Sequence, residues 1–417
     1  MTAEPAVITK ALAAVCGDVR GDGDGGAGTG LPAWLVASPD STEEAAAIMR
    51  VAAEHELAVV ARGGGSRLSW GTPPSRCDVV IDTSLMSRVV EHAAGDLVAR
   101  LQAGARMGDV AAVLARAGQE IALDVPGDAS VGGVVASGLA GPRRLRYGTP
   151  RDLLIGITIV RADGTVAKSG GKVVKNVAGY DLGKLFAGSA GTLGLITEAT
   201  FRLHPLPAAR AYVTAEYVAV SVACDAVAAA ANSPLVSSAV ELTRAEPGGP
   251  IQVGVLLEGS ADGVQARSMR MADLLGKAEV AVDPPAWWPG APRAGARDTL
   301  IRVSFWVSAL ARVLDAIEAA AAKAGVAPVI EGSAGAGVLY LKVDAAAPAV
   351  AEFTGVLRGA VAGERGAVAV LAAPAAVRDE LTARGGMQGT VPGLALMRAV
   401  KDQFDPGHRM APGRFPY

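Results

Sequence analysis

Apolar residues recur along this chain with two periods, and the switch between them marks out its elements. Residues 7–17 and 40–56 carry the helical spacing. Pro39-Asp40-Ser41-Thr42 offers the second of these a cap, and Glu43-Glu44 puts negative charge in its first turn. Short apolar runs at 57–61, 79–82 and 97–103 read as strands, 107–117 as a helix ended by Gly118, and 152–160 as a strand that turns at Asp163-Gly164-Thr165 into another at 166–168. The stretch 193–203 has the β-branched, apolar texture of a buried strand. Past Pro205-Leu206-Pro207, whose prolines end regular ladders, helices at 218–232, 260–275, 308–325, 348–363 and 374–384 alternate with strands at 251–258, 300–307, 338–344 and 366–371. That alternation predicts a helix-backed antiparallel sheet of the α+β class, followed by a last helix at 394–404 and a turn-rich tail.

A chain of 417 residues is long enough for two or three cores. Aromatic residues make up only 4% against 51% hydrophobic, so Ala, Val and Leu must fill those cores. Lys and Arg number 39 against 41 Asp and Glu, a balance that leaves no cationic field for nucleic acid. The start MTAEPAVITK does not read as a secretory signal, and no run approaches the roughly 20 apolar residues of a membrane span. Cys16, Cys77 and Cys224 are too widely spaced for a disulfide framework or an iron-sulfur site, which fits a reducing cytoplasm.

Three glycine-rich stretches carry the candidate chemistry. Arg62-Gly63-Gly64-Gly65-Ser66-Arg67 follows a predicted strand, where backbone amides without side-chain cover curl around an anion such as pyrophosphate. A bland hairpin turn is the competing reading. Residues 123–138, with Pro126-Gly127 and Gly132-Gly133, would let a flat ring or a pyrophosphate lie on the backbone, or would simply start a helix packed on a sheet. The third stretch, 169–194, contains Lys172, Lys175, Tyr180 and Asp181 between two glycine-rich turns. None of the three is a phosphate loop of the GxxxxGK[ST] kind. Residues 20–30, RGDGDGGAGTG, follow no predicted strand and read as a surface loop, which rejects a Rossmann domain.

The order of RGGGSRLSWG at 62–71, DVPGDASVGGVVASG at 124–138, GTPRDLLIGITIVRADG at 148–164 and GGKVVKNVAGYDLGKLFAGSAGTLGLITEATFRLHP at 170–205 resembles the FAD-binding domain of the vanillyl-alcohol oxidase and p-cresol methylhydroxylase (PCMH) type. With PLVSSAVEL at 234–242 and FDPGHRMAPGRF at 404–415, the wording is most similar to the E subunit of glycolate oxidase. The resemblance implies an FAD-binding domain over 1–205, made of two α+β subdomains of about 1–90 and 91–205. A smaller α+β cap would occupy 206–390, and a tail over 391–417 would return to the FAD domain. It implies cofactor contacts at Arg62, Gly63, Gly64, Gly65, Ser66, Arg67, Trp70 and Gly71, then at Pro126, Gly127, Ser130, Val131, Gly133, Gly138 and Tyr147. Further contacts would come from Gly188, Ser189, Gly191, Thr192, Gly194 and Ile196.

Two departures from the family bear on chemistry. Ser66 stands where many members carry a histidine joined to the flavin, so FAD is expected to bind non-covalently. Catalytic members use a histidine cluster, some of it holding a divalent metal, whereas His55, His92, His204 and His408 are scattered here, and no metal site is expected. His408, in the tail, and Tyr180 are the candidates for a catalytic role. Tyr180, Lys401, Arg398 and Arg414 are candidates for binding a carboxylate, and Trp287-Trp288 reads as an anchored cap loop or a subunit contact. The resulting expectation is an FAD-binding subunit of a glycolate oxidase-like 2-hydroxy-acid dehydrogenase complex. It would act on glycolate or D-lactate beside a homologous flavoprotein subunit and an iron-sulfur subunit, held at the inner face of the membrane by its partners. A free-standing FAD-dependent oxidoreductase of a small hydroxy acid or alcohol, and a non-catalytic assembly subunit, are the alternatives.

Overall fold

A computed structural model describes residues 5–21, 33–171 and 181–414. The loop expected at 20–30 lies almost wholly outside the described residues, as do Tyr180, Lys172 and Lys175. The chain divides into two units. One comprises 1–139, 149–206 and 391–417, and the other comprises 140–148 and 207–390.

The first unit begins with a four-stranded sheet in the order Val19–Gly21, Leu35–Ala37, Val79–Asp82, Val59–Arg62, whose last three strands run parallel. Two parallel strands need a crossover, and the helix Thr42–Glu54 supplies it. Ser41 Oγ caps that helix by accepting from the Glu44 N–H. Its Ala45, Ile48, Met49 and Ala52 are buried with Leu35, Val59 and Ile81, and these share a core with Val160 and Leu195 of the sheet that follows.

That second sheet is antiparallel and five-stranded, in the order Val89–Ala93, Val98–Gln102, Leu195–Arg202, Leu154–Val160, Val166–Gly170. The helices Met107–Ala115 and Val131–Ser137 close its core, which includes Leu101, Val110, Val134, Ile157, Phe186 and Phe201. The tail helix Leu394–Phe404 belongs to this unit and sets Phe404 edge-on against Phe186.

The second unit is an eight-stranded sheet in the order Glu279–Ala281, Ala209–Tyr217, Ile251–Gly259, Ala239–Arg244, Val329–Gly332, Val338–Val343, Thr299–Ser304, Ala367–Ala372, antiparallel throughout. Alternate residues such as Val213, Val255, Ile301 and Leu341 form one apolar core with the helices Val220–Asn232, Ala261–Leu275, Leu310–Ala324, Ala347–Gly363 and Ala375–Thr382. The α+β class holds in both units. The strands Ala209–Tyr217, Ala239–Arg244 and Val329–Gly332 escape a reading by periodicity, because charged and small residues interrupt their alternation. Among the described residues no helix is long and apolar enough to cross a membrane, and Cys16, Cys77 and Cys224 form no disulfide.

Candidate functional site

The first glycine loop leaves the C-terminal end of the strand Val59–Arg62. Arg62 is turned back onto the neighbouring parallel strand, its Nη2 2.7 Å from Asp82 Oδ2, while Thr83 Oγ1 donates to the Arg62 carbonyl at 3.2 Å. Burial raises the Asp82 carboxyl, but the Ser84 N–H and the Arg62 guanidinium outweigh it and hold the group below the usual carboxylate range. With that anchor in place, Gly63 and Gly64 lie against the second glycine stretch. A Cβ on Gly63 would stand 2.0 Å from Ser130 Oγ, and one on Gly64 2.9 Å from the Asp128 carbonyl, so neither position has room for a side chain. The backbone N–H groups of Gly63, Gly64, Gly65 and Ser66 find no acceptor among the described residues. Four successive open donors, three of them on residues without side chains, can receive an anion as a backbone nest.

The second stretch is fixed by its own hydrogen bonds. Ser130 Oγ accepts from Gly133 N at 3.2 Å and so caps the helix Val131–Ser137, while Gly132 N and Val131 N donate to the carbonyls of Ala103 and Ala105. Gly108 N donates to the Gly127 carbonyl at 2.8 Å, which pins the Pro126-Gly127 turn. The third stretch then lies on the far end of this helix, with Gly188 N on Val135 O at 2.9 Å and Ala190 N on Ala136 O at 2.7 Å. Ala190 takes φ +53°, a left-handed conformation that costs a non-glycine residue roughly 1 kcal/mol and marks a backbone held by its surroundings. Next to it, Ser189 Oγ is buried with no hydrogen-bond partner among the described residues. Strain beside an orphaned hydroxyl is a site signal that the glycine spacing alone did not carry.

The tail binds all of this from behind. Arg409 O accepts from Val59 N and Ala411 N donates to Val59 O, both at 2.8 Å, so the tail pairs with the strand that feeds the first loop. Lys401, 2% exposed, extends Nζ to the Thr192 carbonyl and to Asp405 Oδ2, both at 2.6 Å, and to the Met410 carbonyl at 3.1 Å. Burial pushes the Lys401 ammonium below its ordinary value, and Asp405 opposes that shift. Arg414 Nη2 donates to the carbonyls of Arg67 and Trp70 at 3.1 and 3.0 Å, and the Arg67 guanidinium lies 5.1 Å from the Trp70 ring.

The expected residues therefore separate into groups. Gly63 to Gly71, Pro126 to Gly138 and Gly188 to Thr192 come together around the helix Val131–Ser137 and the tail. Val131 and Ile196 are buried in the hydrophobic core, and a Cβ on Gly194 would stand 3.0 Å from the Val160 carbonyl. Tyr147 belongs to the other unit. There its hydroxyl lies 3.3 Å from Glu258 Oε2, and Arg143 and Arg146 flank its ring. His408 is exposed, with Nε2 2.9 Å from Asp402 Oδ1. It precedes the segment that pairs with Val59, at the opposite end of that strand from the glycine loop. His92 is hydrogen-bonded to Gln119 Oε1 at 2.9 Å. No group of three or more metal-ligating side chains occurs among the described residues. Trp287 and Trp288 cover Gly254 of the sheet, and Trp288 meets Tyr212 edge-on, which makes this segment an anchored loop.

Comparison with known proteins agrees with this geometry. The family described as "FAD binding domain" matches residues 33–170. Glycolate oxidase subunit GlcD of Bacillus subtilis is 34% identical over 212 residues, 49% of this chain and 44% of that protein. D-lactate dehydrogenase of Archaeoglobus fulgidus is 38% identical over 174 residues, 41% of this chain and 39% of that protein. The matched region thus spans less than half the length of these relatives. Among solved structures, p-cresol methylhydroxylase superposes with a TM-score of 0.75 at 16% identity, covering 98% of this chain and 96% of that one. Alkyldihydroxyacetonephosphate synthase gives 0.67 at 16% identity, covering 92% and 77%. The chain has the PCMH-type fold and carries an FAD-binding domain.

Proposed function

We propose that this chain is an FAD-dependent oxidoreductase subunit that holds its flavin non-covalently in the glycine cradle and serves in the oxidation of a small 2-hydroxy acid such as glycolate or D-lactate. The observation that carries the reading is the row of four unpaired N–H groups from Gly63 to Ser66, set against the Ser130 turn. A pyrophosphate fits such a row, and the orphaned Ser189 hydroxyl offers a further donor. Bound FAD would supply the acceptor for a hydride equivalent. The chain's own part is to bind and orient: Gly63 to Ser66 receive the anion, Ser130 fixes the turn behind them, and Ala190 and Gly191 shape the opposite wall.

No histidine or cysteine occurs in 62–71, 124–138 or 170–196, which favours attachment without a covalent bond and leaves these stretches without a histidine base for an α-hydroxyl. His408, exposed and paired with Asp402, is a weak candidate for that role. This shortage favours membership of a complex in which a homologous flavoprotein subunit and an iron-sulfur subunit, in the cytoplasm at the inner face of the membrane, share the work. A free-standing enzyme is the second reading, favoured by the superposition of nearly the whole chain on p-cresol methylhydroxylase.

The anaerobic visible spectrum of the FAD-reconstituted chain, before and after glycolate or D-lactate, tests both. Bleaching of the isolated chain supports the free-standing enzyme. Bleaching that requires partner subunits supports the complex, and failure to take up FAD overturns the assignment.

A further inference from the structure

Two cations of the tail, Lys401 and Arg414, donate to carbonyls of the glycine-rich stretches, but only Lys401 is paired with a carboxylate. Lys401 is paired with Asp405, whereas Arg414, 6% exposed, has no carboxylate partner among the described residues. Its Nη2 consumes the carbonyls of Arg67 and Trp70, and its Nε and Nη1 are buried with no hydrogen-bond acceptor among those residues. Leaving a buried charge uncompensated is costly, and chains keep one where an anion is to arrive. The adjoining residues are the four open N–H groups that end at Ser66. A loop that wraps an anion must also turn its carbonyl oxygens away from it, and Arg414 holds two of them from the rear.

We propose that Arg414 is the positioning residue and counter-charge for the cofactor's pyrophosphate, supplied by the tail to the back of the first glycine loop. It acts through the loop: Nε and Nη1 are covered by protein, so its charge is felt across the backbone and its hydrogen bonds set which way the amides face. The inference rests on the FAD reading above and adds to it that the first loop is competent only when the tail is docked.

Flavins that differ in phosphate content separate this role from a merely structural one. FAD and riboflavin are titrated against the full-length apoprotein of the wild type, Arg414→Gln and Arg414→Lys, following quenching of flavin fluorescence. Arg414→Gln is expected to weaken FAD by about 10- to 100-fold while changing riboflavin by less than about threefold, with Arg414→Lys in between. Equal weakening of FAD and riboflavin, or none, overturns the proposal. A wild type that binds neither flavin overturns the FAD reading itself. If Arg414→Gln does not fold, the wild-type apoprotein decides: inorganic pyrophosphate should raise its Tm, and no rise overturns the counter-charge.

Discussion

The polar groups around Glu258 in the second unit are buried, whereas Gly64 and Ser66 of the first glycine loop are exposed and Gly63 and Gly65 half-buried, and the two regions are satisfied in opposite ways. Glu258, 1% exposed, meets Arg210 Nε at 2.9 Å, Arg143 Nη1 at 3.5 Å and the Tyr147 hydroxyl at 3.3 Å, while Arg267 and Arg146 donate to its carbonyl. The backbone N–H groups of 63–66, the Ser189 hydroxyl, and Nε and Nη1 of Arg414 find no acceptor among the described residues. A closed network spends its polar groups on the fold, and an open one keeps them for a ligand. Sequence position does not decide which kind a region holds, since the first unit also contains a closed network at Lys401 and Asp405.

That comparison breaks most sharply at Lys401. Lys401→Met removes the cation from a buried pair and leaves the Asp405 carboxylate with the Arg409 and Met410 N–H groups but no counter-charge, so unfolding free energy should fall by about 3 kcal/mol in denaturant titration of the apoprotein. A loss below about 1 kcal/mol would show that the pair contributes little to the fold. Glu258→Gln removes the buried carboxylate charge that Arg143 and Arg210 share. Because Arg210 is 41% exposed and can turn to water, a smaller loss of about 2 kcal/mol is expected in the same experiment. In the open network the order of effects reverses. Gly63→Ala sets a Cβ against Ser130, displaces the helix cap and closes the nest, so FAD should bind about 30-fold more weakly by fluorescence titration while the apoprotein loses only about 1 kcal/mol. Comparable FAD affinity in this variant and the wild type would mean that the nest does not receive the pyrophosphate.

The same contrast explains what the amino-acid sequence makes legible. Glycine runs are visible as letters, and a site made of backbone needs glycine where a Cβ would stand within 3 Å of another segment, as at Gly63, Gly64 and Gly132, or where φ is positive, as at Gly65, so these loops stand out in the sequence by themselves. The helices are legible too, because their apolar faces repeat every turn. The closed network is not: Glu258, Arg143 and Arg210 are far apart in sequence, and each looks like an ordinary surface charge until the sheet brings them together. The segment 140–148, expected in the first domain, belongs to the second unit because its arginines and Tyr147 are bound there, which no local pattern announces. Lys401 and Asp405 stand four residues apart, a spacing that brings side chains together on a helix, but their burial depends on Thr192 and Met410.

Asp82 lies where closed meets open, since its pair with Arg62 anchors the strand end from which the nest departs. Burial alone would raise its carboxyl; the Ser84 N–H and Arg62 reverse that, so its folded value lies below its unfolded one. A carboxyl depressed in this way gives stability that is fully present above the unfolded value of roughly 3.9 and is lost as pH falls through the folded value. Between about pH 6 and 8 the wild type should therefore exceed Asp82→Asn in Tm by a constant few degrees, and below about pH 4 the gap should shrink as the wild type takes up the proton. The effect is the smallest of the set because Arg62 is partly exposed and can recover some hydration. A Tm gap as wide at about pH 3 as at about pH 7 would mean that the ionised carboxylate does not anchor the strand end, and the nest would then owe its shape to the Ser130 turn alone.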